Sequence, residues 1–262
     1  MNYAVVTGAS SGLGREFALK LAQRGYNLVI TARRQKRLEE LKKQVEDQYG
    51  RQCHLIVSDL STETGVDKLL AAIDELQIEV EVLINNAGLG KRGSFEKISH
   101  QDIKTLIEVD IMALTRLAHH FYSKMVVGKG GYILNVASVA GFNPIPFFSV
   151  YGAAKTYVLF LSEALASEGK DKNIKITALC PGPVNTEFFD VAEATDLHFE
   201  KLLNSPEKVV DKGLSCLFSG QNICIPRGLF KAQKVMGKIL PSTLMTWISK
   251  KIFKPDSPLG RD

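Results

Sequence analysis

Tryptophan occurs once, histidine five times and cysteine four times in the 262 residues. The cysteines, Cys53, Cys180, Cys216 and Cys224, include no C-x-x-C pair, which removes the usual zinc and thiol-redox motifs and leaves them as reduced small hydrophobes. His119 and His120 are adjacent on a helical stretch and so point to different faces; no metal site is expected. No apolar run reaches the ~18 residues of a membrane-spanning helix. A strand-like stretch begins at Tyr3, directly after the first residues, with no basic n-region, apolar h-region or cleavage site before it. The expectation is a cytoplasmic protein, with the inner membrane surface as its one candidate peripheral contact.

Carboxylates are missing from Arg227 to Lys254, where the cations are Arg227, Lys231, Lys234, Lys238, Lys250, Lys251 and Lys254. Removing these seven from the net charge of +5 leaves the rest of the chain at −2, so no basic stripe covers the body and no nucleic-acid partner is expected. With 45% apolar and 23% charged residues the composition is that of a soluble globular protein, which excludes disordered, collagenous and disulfide-stapled classes. The length suits one large α/β domain.

Short apolar runs alternate with helical periodicity as far as about residue 225. The strand candidates are Ala4–Val6, Leu28–Thr31, His54–Val57, Val82–Asn85, Tyr132–Val136, Lys175–Leu179 and Asn222–Ile225. Between them the spacing changes to 3.6: Leu13, Phe17 and Leu21 mark one helix, Leu38, Leu41 and Val45 the next, and Val66, Leu69, Leu70 and Ile73 a third. Strands without polar alternation are buried on both faces, and strict β-α alternation gives a parallel sheet. The reading is a doubly wound, Rossmann-like α/β domain over 1–226, with about seven strands and helices on both faces. Residues 227–262 form a basic, amphipathic helical extension of that domain.

Ligands of such folds bind beyond the carboxyl ends of the strands. The first strand runs into Thr7-Gly8-Ala9-Ser10-Ser11-Gly12-Leu13-Gly14 and then a helix. Glycines there allow a tight turn and close approach of a pyrophosphate to the helix N-terminus. The second strand ends in Thr31-Ala32-Arg33-Arg34, with no acidic residue to accept a ribose 2′-hydroxyl and two guanidiniums suited to a 2′-phosphate. NADP(H) is therefore favoured over NAD(H). Further on, Tyr151 and Lys155 lie four apart, on one face of a predicted helix. A lysine ammonium beside a tyrosine stabilises its phenolate, lowering a pKa that is ordinarily ~10 and suiting it to exchange a proton with a carbonyl or alcohol oxygen. Ser138, after the fifth strand, is positioned to hydrogen-bond that oxygen; alone it would read as a turn or cap.

Taken together, Thr7-Gly8-x-x-x-Gly12-x-Gly14, Asp59-Leu60, Asn85-Asn86-Ala87-Gly88, Ser138, Tyr151-x-x-x-Lys155 and Pro181-Gly182-Pro183-Val184-x-Thr186 resemble the short-chain dehydrogenase/reductase family over about residues 1 to 225. The resemblance implies Ser138, Tyr151 and Lys155 as catalytic residues. It implies cofactor contacts at Gly8, Ser10, Ser11, Gly12, Leu13, Gly14, Arg33 and Arg34, with Asp59 and Leu60 at the adenine and Asn86, Ala87 and Gly88 beside the adenosine ribose. Tyr151, Lys155, Pro181, Gly182, Val184 and Thr186 complete the set, Lys155 at the nicotinamide ribose and Thr186 at the carboxamide. It further implies a homodimer or homotetramer.

One position departs from the pattern: Asp110, in Ile107-Glu108-Val109-Asp110-Ile111, replaces an asparagine that many members use to hold a water for the lysine. If only its carbonyl matters, little changes; if its side chain does, a carboxylate near Lys155 favours the ammonium and shifts the pH optimum. Activity is expected to be retained. Phe142, Ile145, Phe147 and Phe148, with Phe188, Phe189, Leu197 and Phe199, predict an apolar pocket for a lipophilic carbonyl or alcohol, or else core filling.

A helix from Gly228 to Leu240 puts Leu229, Ala232, Val235, Met236, Ile239 and Leu240 on one face and Lys231, Lys234 and Lys238 on the other. After Pro241 a second helix carries Leu244, Met245, Trp247, Ile248, Ile252 and Phe253. Residues 228–254 suit an anionic membrane surface, and also suit packing on the body or a partner subunit, with association of copies the favoured reading. The sequence thus predicts an NADP(H)-dependent oxidoreductase acting on a lipophilic ketone, aldehyde or secondary alcohol. The alternatives on the same fold are an NADPH-sensing protein, against which the intact Ser138, Tyr151 and Lys155 stand and for which only Asp110 speaks, and a membrane-surface binding protein acting through residues 228–254.

Overall fold

Apolar runs such as Ala4-Val5-Val6 and Leu28-Val29-Ile30 can be strands only where both sheet faces are covered, and that is how they are used. The computed structural model describes residues 2–197 and 202–255, and of Lys238 the backbone only. The chain runs β1 (Tyr3–Thr7), α1 (Gly12–Gln23), β2 (Asn27–Ala32), α2 (Gln35–Tyr49), β3 (Cys53–Val57), α3 (Glu63–Glu75) and β4 (Val80–Asn85). Then come α4 (His100–Ile107), α5 (Leu114–Val127), β5 (Gly131–Val136), α6 (Ser149–Glu168) and β6 (Ile174–Leu179). Last are α7 (Phe188–Val191), α8 (Pro206–Ser219), β7 (Ile223–Cys224), α9 (Gly228–Ile239) and α10 (Ser242–Phe253). The strands form one seven-stranded parallel sheet in the order β3-β2-β1-β4-β5-β6-β7.

Alternate strand residues supply two cores. On one face Val6, Ile30, Ile84 and Leu134 pack under Phe17 and Leu21 of α1, Leu41 of α2 and Leu214 of α8. On the other, Val5, Val29, Leu83 and Ile133 meet Leu69 of α3, Leu117 and Phe121 of α5 and Ala166 of α6. Each such side chain, fully buried, contributes about 1.5–3 kcal/mol of hydrophobic transfer free energy.

The strand order turns over at β1, which has β2 on one side and β4 on the other, and a crevice opens where their carboxyl ends part. Observed strands begin up to two residues earlier than the apolar pattern suggests, and the final strand shrinks to Ile223–Cys224 from the expected Asn222–Ile225. A six-residue π-helical segment, Glu108–Ala113, joins α4 to α5. Its wider turn carries the buried Asp110, a feature the periodicity did not announce.

Beyond β7, α9 seats Phe230 against Gly182 and packs on the short 3-10 turn Val139–Phe142, while α10 buries Met245. Leu229, Val235, Met236 and Ile239 are exposed, which corrects the option of that face packing on the body of this chain. Among the described residues no helix is long and apolar enough to cross a membrane.

Candidate active site

The crevice is a cleft of about 560 Å³, within the size range of small-molecule and cofactor sites. Its floor is built first by the turn after β1. Thr7 donates its hydroxyl to the Ile84 carbonyl and accepts from the backbone N–H groups of Asn86 and Ala87, both at 2.9 Å. The Asn86 amide donates back to the Thr7 carbonyl at 2.9 Å, so the ends of β1 and β4 are stitched together. Gly8 has φ +64°, and a Cβ there would stand 2.8 Å from the Asn86 amide nitrogen. Gly14, by contrast, does not reach the cleft: it packs beneath the turn, where a Cβ would lie 2.3 Å from the Gly8 carbonyl oxygen. Its close approach is to the Gly8 backbone and the Asn86 amide.

Gly8, Ser10, Ser11, Gly12 and Leu13 line the cleft at the start of α1. Helix α1 has no side-chain N-cap and no acidic residue in its first turn, so its N–H groups and positive dipole end stay open to an anion. Arg33 and Arg34 line the same end. The Arg34 guanidinium donates to the hydroxyls of Ser10 and Ser11, and pairs with Glu187 at 2.8 Å. Arg37 holds the other Glu187 oxygen at 2.6 Å. These two arginines hold the Glu187 carboxyl down at about 2. Glu187 was not singled out by sequence; a lone acidic residue after Thr186 carries no signal.

Asp59 and Leu60 edge the cleft, and Asp59 accepts from the Ser61 N–H and hydroxyl. Burial pushes its carboxyl up, but those two donors hold it below the usual range. Asn86, Ala87, Gly88, Pro181, Gly182, Val184 and Thr186 also line the cleft.

At the centre the predicted helix face is realised: Tyr151 and Lys155 project from α6 beside Ser138, just past β5. Lys155 is buried, donating to the Val136 carbonyl at 3.1 Å and pairing with Asp110 at 3.0 Å. The other Asp110 oxygen accepts from the Leu89 N–H at 2.7 Å. Of the two readings of Asp110, the structure realises the one in which the side chain itself meets the lysine. Burial raises the Asp110 carboxyl above its ordinary value against the pull of Lys155. Burial disfavours the Lys155 ammonium, yet Asp110 and Tyr151 outweigh it and hold the ammonium above its usual range.

Tyr151 departs from the expected lowered value. Burial drives its phenol upward more strongly than Lys155 and the Ser138 hydroxyl pull it down, and Asp110 adds a smaller upward push. The Ser138 oxygen also accepts from the Ala140 N–H at 3.1 Å, so it both caps the following turn and faces the cleft. Behind them a buried ladder, Asn85 to Asn135 and Asn135 to Ser162, both 2.9 Å, locks β4, β5 and α6 together. Asn135 and Ser162 have no sequence signature of their own.

The roof is apolar. Ile145, Phe148, Phe188 and Phe189 line it, whereas Phe142 and Phe147 do not; Leu197 packs behind, and Phe199 lies outside the described residues. Phe148 stands edge-on to both Tyr151 and Phe253, and Phe188 sits 5.3 Å from Tyr151 by ring centroids. Met245, Ile248, Ser249 and Ile252 of α10 complete the roof at i, i+3, i+4 and i+7, a spacing visible in the sequence but not assigned to the pocket. A buried arginine helps to fasten this roof. Arg92, only 2% exposed at its side chain, pairs with Asp196 and donates to the carbonyls of Phe253 and Lys254 at 2.9 and 2.8 Å. A cation on the last carbonyls of a helix satisfies groups that have no intrahelical partner.

Residues 2–196 match the short chain dehydrogenase family. A sulfoacetaldehyde reductase of Chromohalobacter salexigens is 36% identical over 185 residues, 70% of this chain and 72% of the relative. A very-long-chain 3-oxoacyl-CoA reductase-B of Danio rerio is 30% identical over 255 residues, 96% of this chain and 76% of the relative. Among solved structures, a short-chain dehydrogenase from Sphingobium yanoikuyae in complex with NADPH superimposes with a TM-score of 0.84 at 31% identity, covering 94% of this chain and 95% of that one. The cleft, its tyrosine–lysine pair and these matches together establish that the chain belongs to the short-chain dehydrogenase/reductase family of oxidoreductases.

Proposed function

We propose that the protein is an NADP(H)-dependent oxidoreductase that interconverts a lipophilic ketone or aldehyde and its alcohol. The observation that carries this reading is the convergence of Ser138, Tyr151 and Lys155 on the floor of one cleft whose far wall is aromatic and aliphatic. The residues fit the dinucleotide: the open N-terminus of α1 faces the place of a pyrophosphate, and Arg33 and Arg34 line an end of the cleft where β2 offers no carboxylate. When bound, the nicotinamide supplies or accepts the hydride.

The chain's own groups do the rest. Tyr151 gives its phenolic proton to the carbonyl oxygen in reduction and takes it back in oxidation. Ser138 donates a hydrogen bond to that oxygen as negative charge develops on it. Lys155, kept as an ammonium by Asp110, steadies the phenolate. The roof excludes water and selects an apolar substrate; the Danio rerio relative, whose name specifies a very-long-chain acyl substrate, supports this choice over a small anionic aldehyde. The expected homodimer or homotetramer belongs to the same proposal, with Ile107, Met112, Tyr157 and Phe160 exposed on α4 to α6 to receive a second copy.

The test is oxidation of NADPH and of NADH against a panel of aldehydes, ketones and lipid-like 3-oxo compounds. Turnover with NADPH that grows with the apolar bulk of the carbonyl compound is expected. Tight NADPH binding with no turnover on any compound would overturn the enzyme reading in favour of a sensor.

A further inference from the structure

Helix α9 is mounted with its apolar stripe facing away from the protein. Leu229, Val235, Met236 and Ile239 point to solvent, Ile239 with 75% of its surface exposed. The inward side is made by the buried Phe230 and by Gly237, whose α-carbon fits so closely on Asn143 that a Cβ would lie 2.2 Å from its side-chain oxygen. This tight seat fixes the helix's rotation, so the outward stripe is not open to simple rolling inward. Helix α10 continues the surface with Leu244 and with Trp247, 54% exposed, whose ring lies 3.9 Å from the Lys251 ammonium. Lys231, Lys250, Lys251 and Lys254 are exposed along the same two helices, and the sequence has no carboxylate from residue 227 to 254.

We infer that the outer faces of α9 and α10 bind an anionic lipid bilayer. Large aliphatic groups beside lysines, with a tryptophan among them, suit the boundary between headgroups and acyl chains: the apolar tips enter, the lysine stems follow, and the ammoniums reach the phosphates. A second copy of the chain is a poor occupant, because a two-fold contact would set this carboxylate-free cationic surface against itself. The inner side of the same helices supplies Phe230, Met245, Ile248 and Phe253 to the cleft, so a bound bilayer lies one helix away from the substrate roof. The inference concerns the outer surface and stands whether or not the cleft's proposed chemistry does.

Trp247 is the chain's single tryptophan, which makes it a native probe. The full chain is mixed with phosphatidylcholine vesicles with and without phosphatidylglycerol, and both its emission and its co-sedimentation are read. A blue shift with pelleting is expected only on vesicles containing phosphatidylglycerol, and is weakened by salt. The double variants V235S/I239S and K231E/K250E are expected to reduce binding about tenfold or more while keeping the wild-type melting temperature and NADPH affinity. No shift and no pelleting on either vesicle, binding that survives both double variants, or wild-type self-association abolished by V235S/I239S would each overturn the inference.

Discussion

The floor and the roof of the cleft are built on opposite principles. The floor is made of backbone and short polar side chains at the ends of neighbouring strands, cross-tied by Thr7, Asn86, Asn85, Asn135 and Lys155. The roof is made of large apolar side chains on α7, α10 and the segment before α6, packed ring against ring, with the guanidinium of Arg92 tying the end of α10 to Asp196. A network with many shared polar partners fails as a unit, whereas a surface held mainly by side-chain packing loosens locally. The difference separates chemistry, which requires fixed groups, from substrate choice, which requires only a fitting surface.

The comparison is broken most severely at Asp110. Asp110→Ala leaves the buried Lys155 ammonium without its counter-charge, and a stability loss of roughly 3–5 kcal/mol is expected in chemical denaturation. Asp110→Asn keeps the shape and removes the charge that opposes Lys155 at Tyr151. Its turnover at neutral pH is expected to stay within about tenfold of wild type, the equivalent of one pKa unit. In the oxidative direction its rising pH limb moves to lower pH, since the phenol is then easier to ionise. A limb that moves upward would show that Asp110 does not act on Tyr151 through charge.

Arg92→Ala is the corresponding cut in the roof. Leaving the carbonyls of Phe253 and Lys254 without their donor is expected to cost about 1–3 kcal/mol, expressed as faster amide exchange in α10 with the sheet's protection unchanged. NADPH affinity should be kept; equal loss of protection in β1 and β4 would mean that floor and roof are one unit.

How much of this was legible in the sequence follows the same division. The glycine turn, Ser138, Tyr151 and Lys155 were placed by local geometry, a position after a strand or a spacing of four on a helix, and Asp59 by the family resemblance alone. Arg92 was not, since its helix-end partners lie 161 and 162 positions away, and no short-range pattern marks a loop arginine as buried. Asp110 was visible as an anomaly, but its pairing depends on the π-helical turn, which leaves no periodic trace. The outward rotation of α9 also escaped, because an apolar stripe states that a helix has two faces and not which one the body takes.

Smaller effects sharpen the picture at the arginine end. Arg34→Ala is expected to weaken NADPH binding about 10- to 100-fold by titration calorimetry while changing NADH binding little, the loss of charge-assisted bonds worth ~1.5–3 kcal/mol. Glu187 pairs with that guanidinium, so Glu187→Gln should tighten NADPH binding by a few-fold through lost competition. Its carboxyl is depressed to about 2 from 4.5, so its contribution to stability is present above pH 4.5 and is lost as the pH falls toward 2. The pair is solvent-exposed and the effect small. The difference in melting temperature between wild type and Glu187→Gln should be constant above pH 5 and vanish near pH 2; a difference that grows on acidification would reverse the assignment.

The most direct test of the whole account is Tyr151→Phe, read for two quantities in one preparation: the dissociation constant of NADPH and the turnover of a lipophilic ketone. The account predicts an unchanged dissociation constant and a kcat lower by about 10²- to 10⁴-fold. Turnover that survives the loss of the hydroxyl would contradict the assignment of Tyr151 as the proton donor, and with it the chemistry proposed for the floor of the cleft.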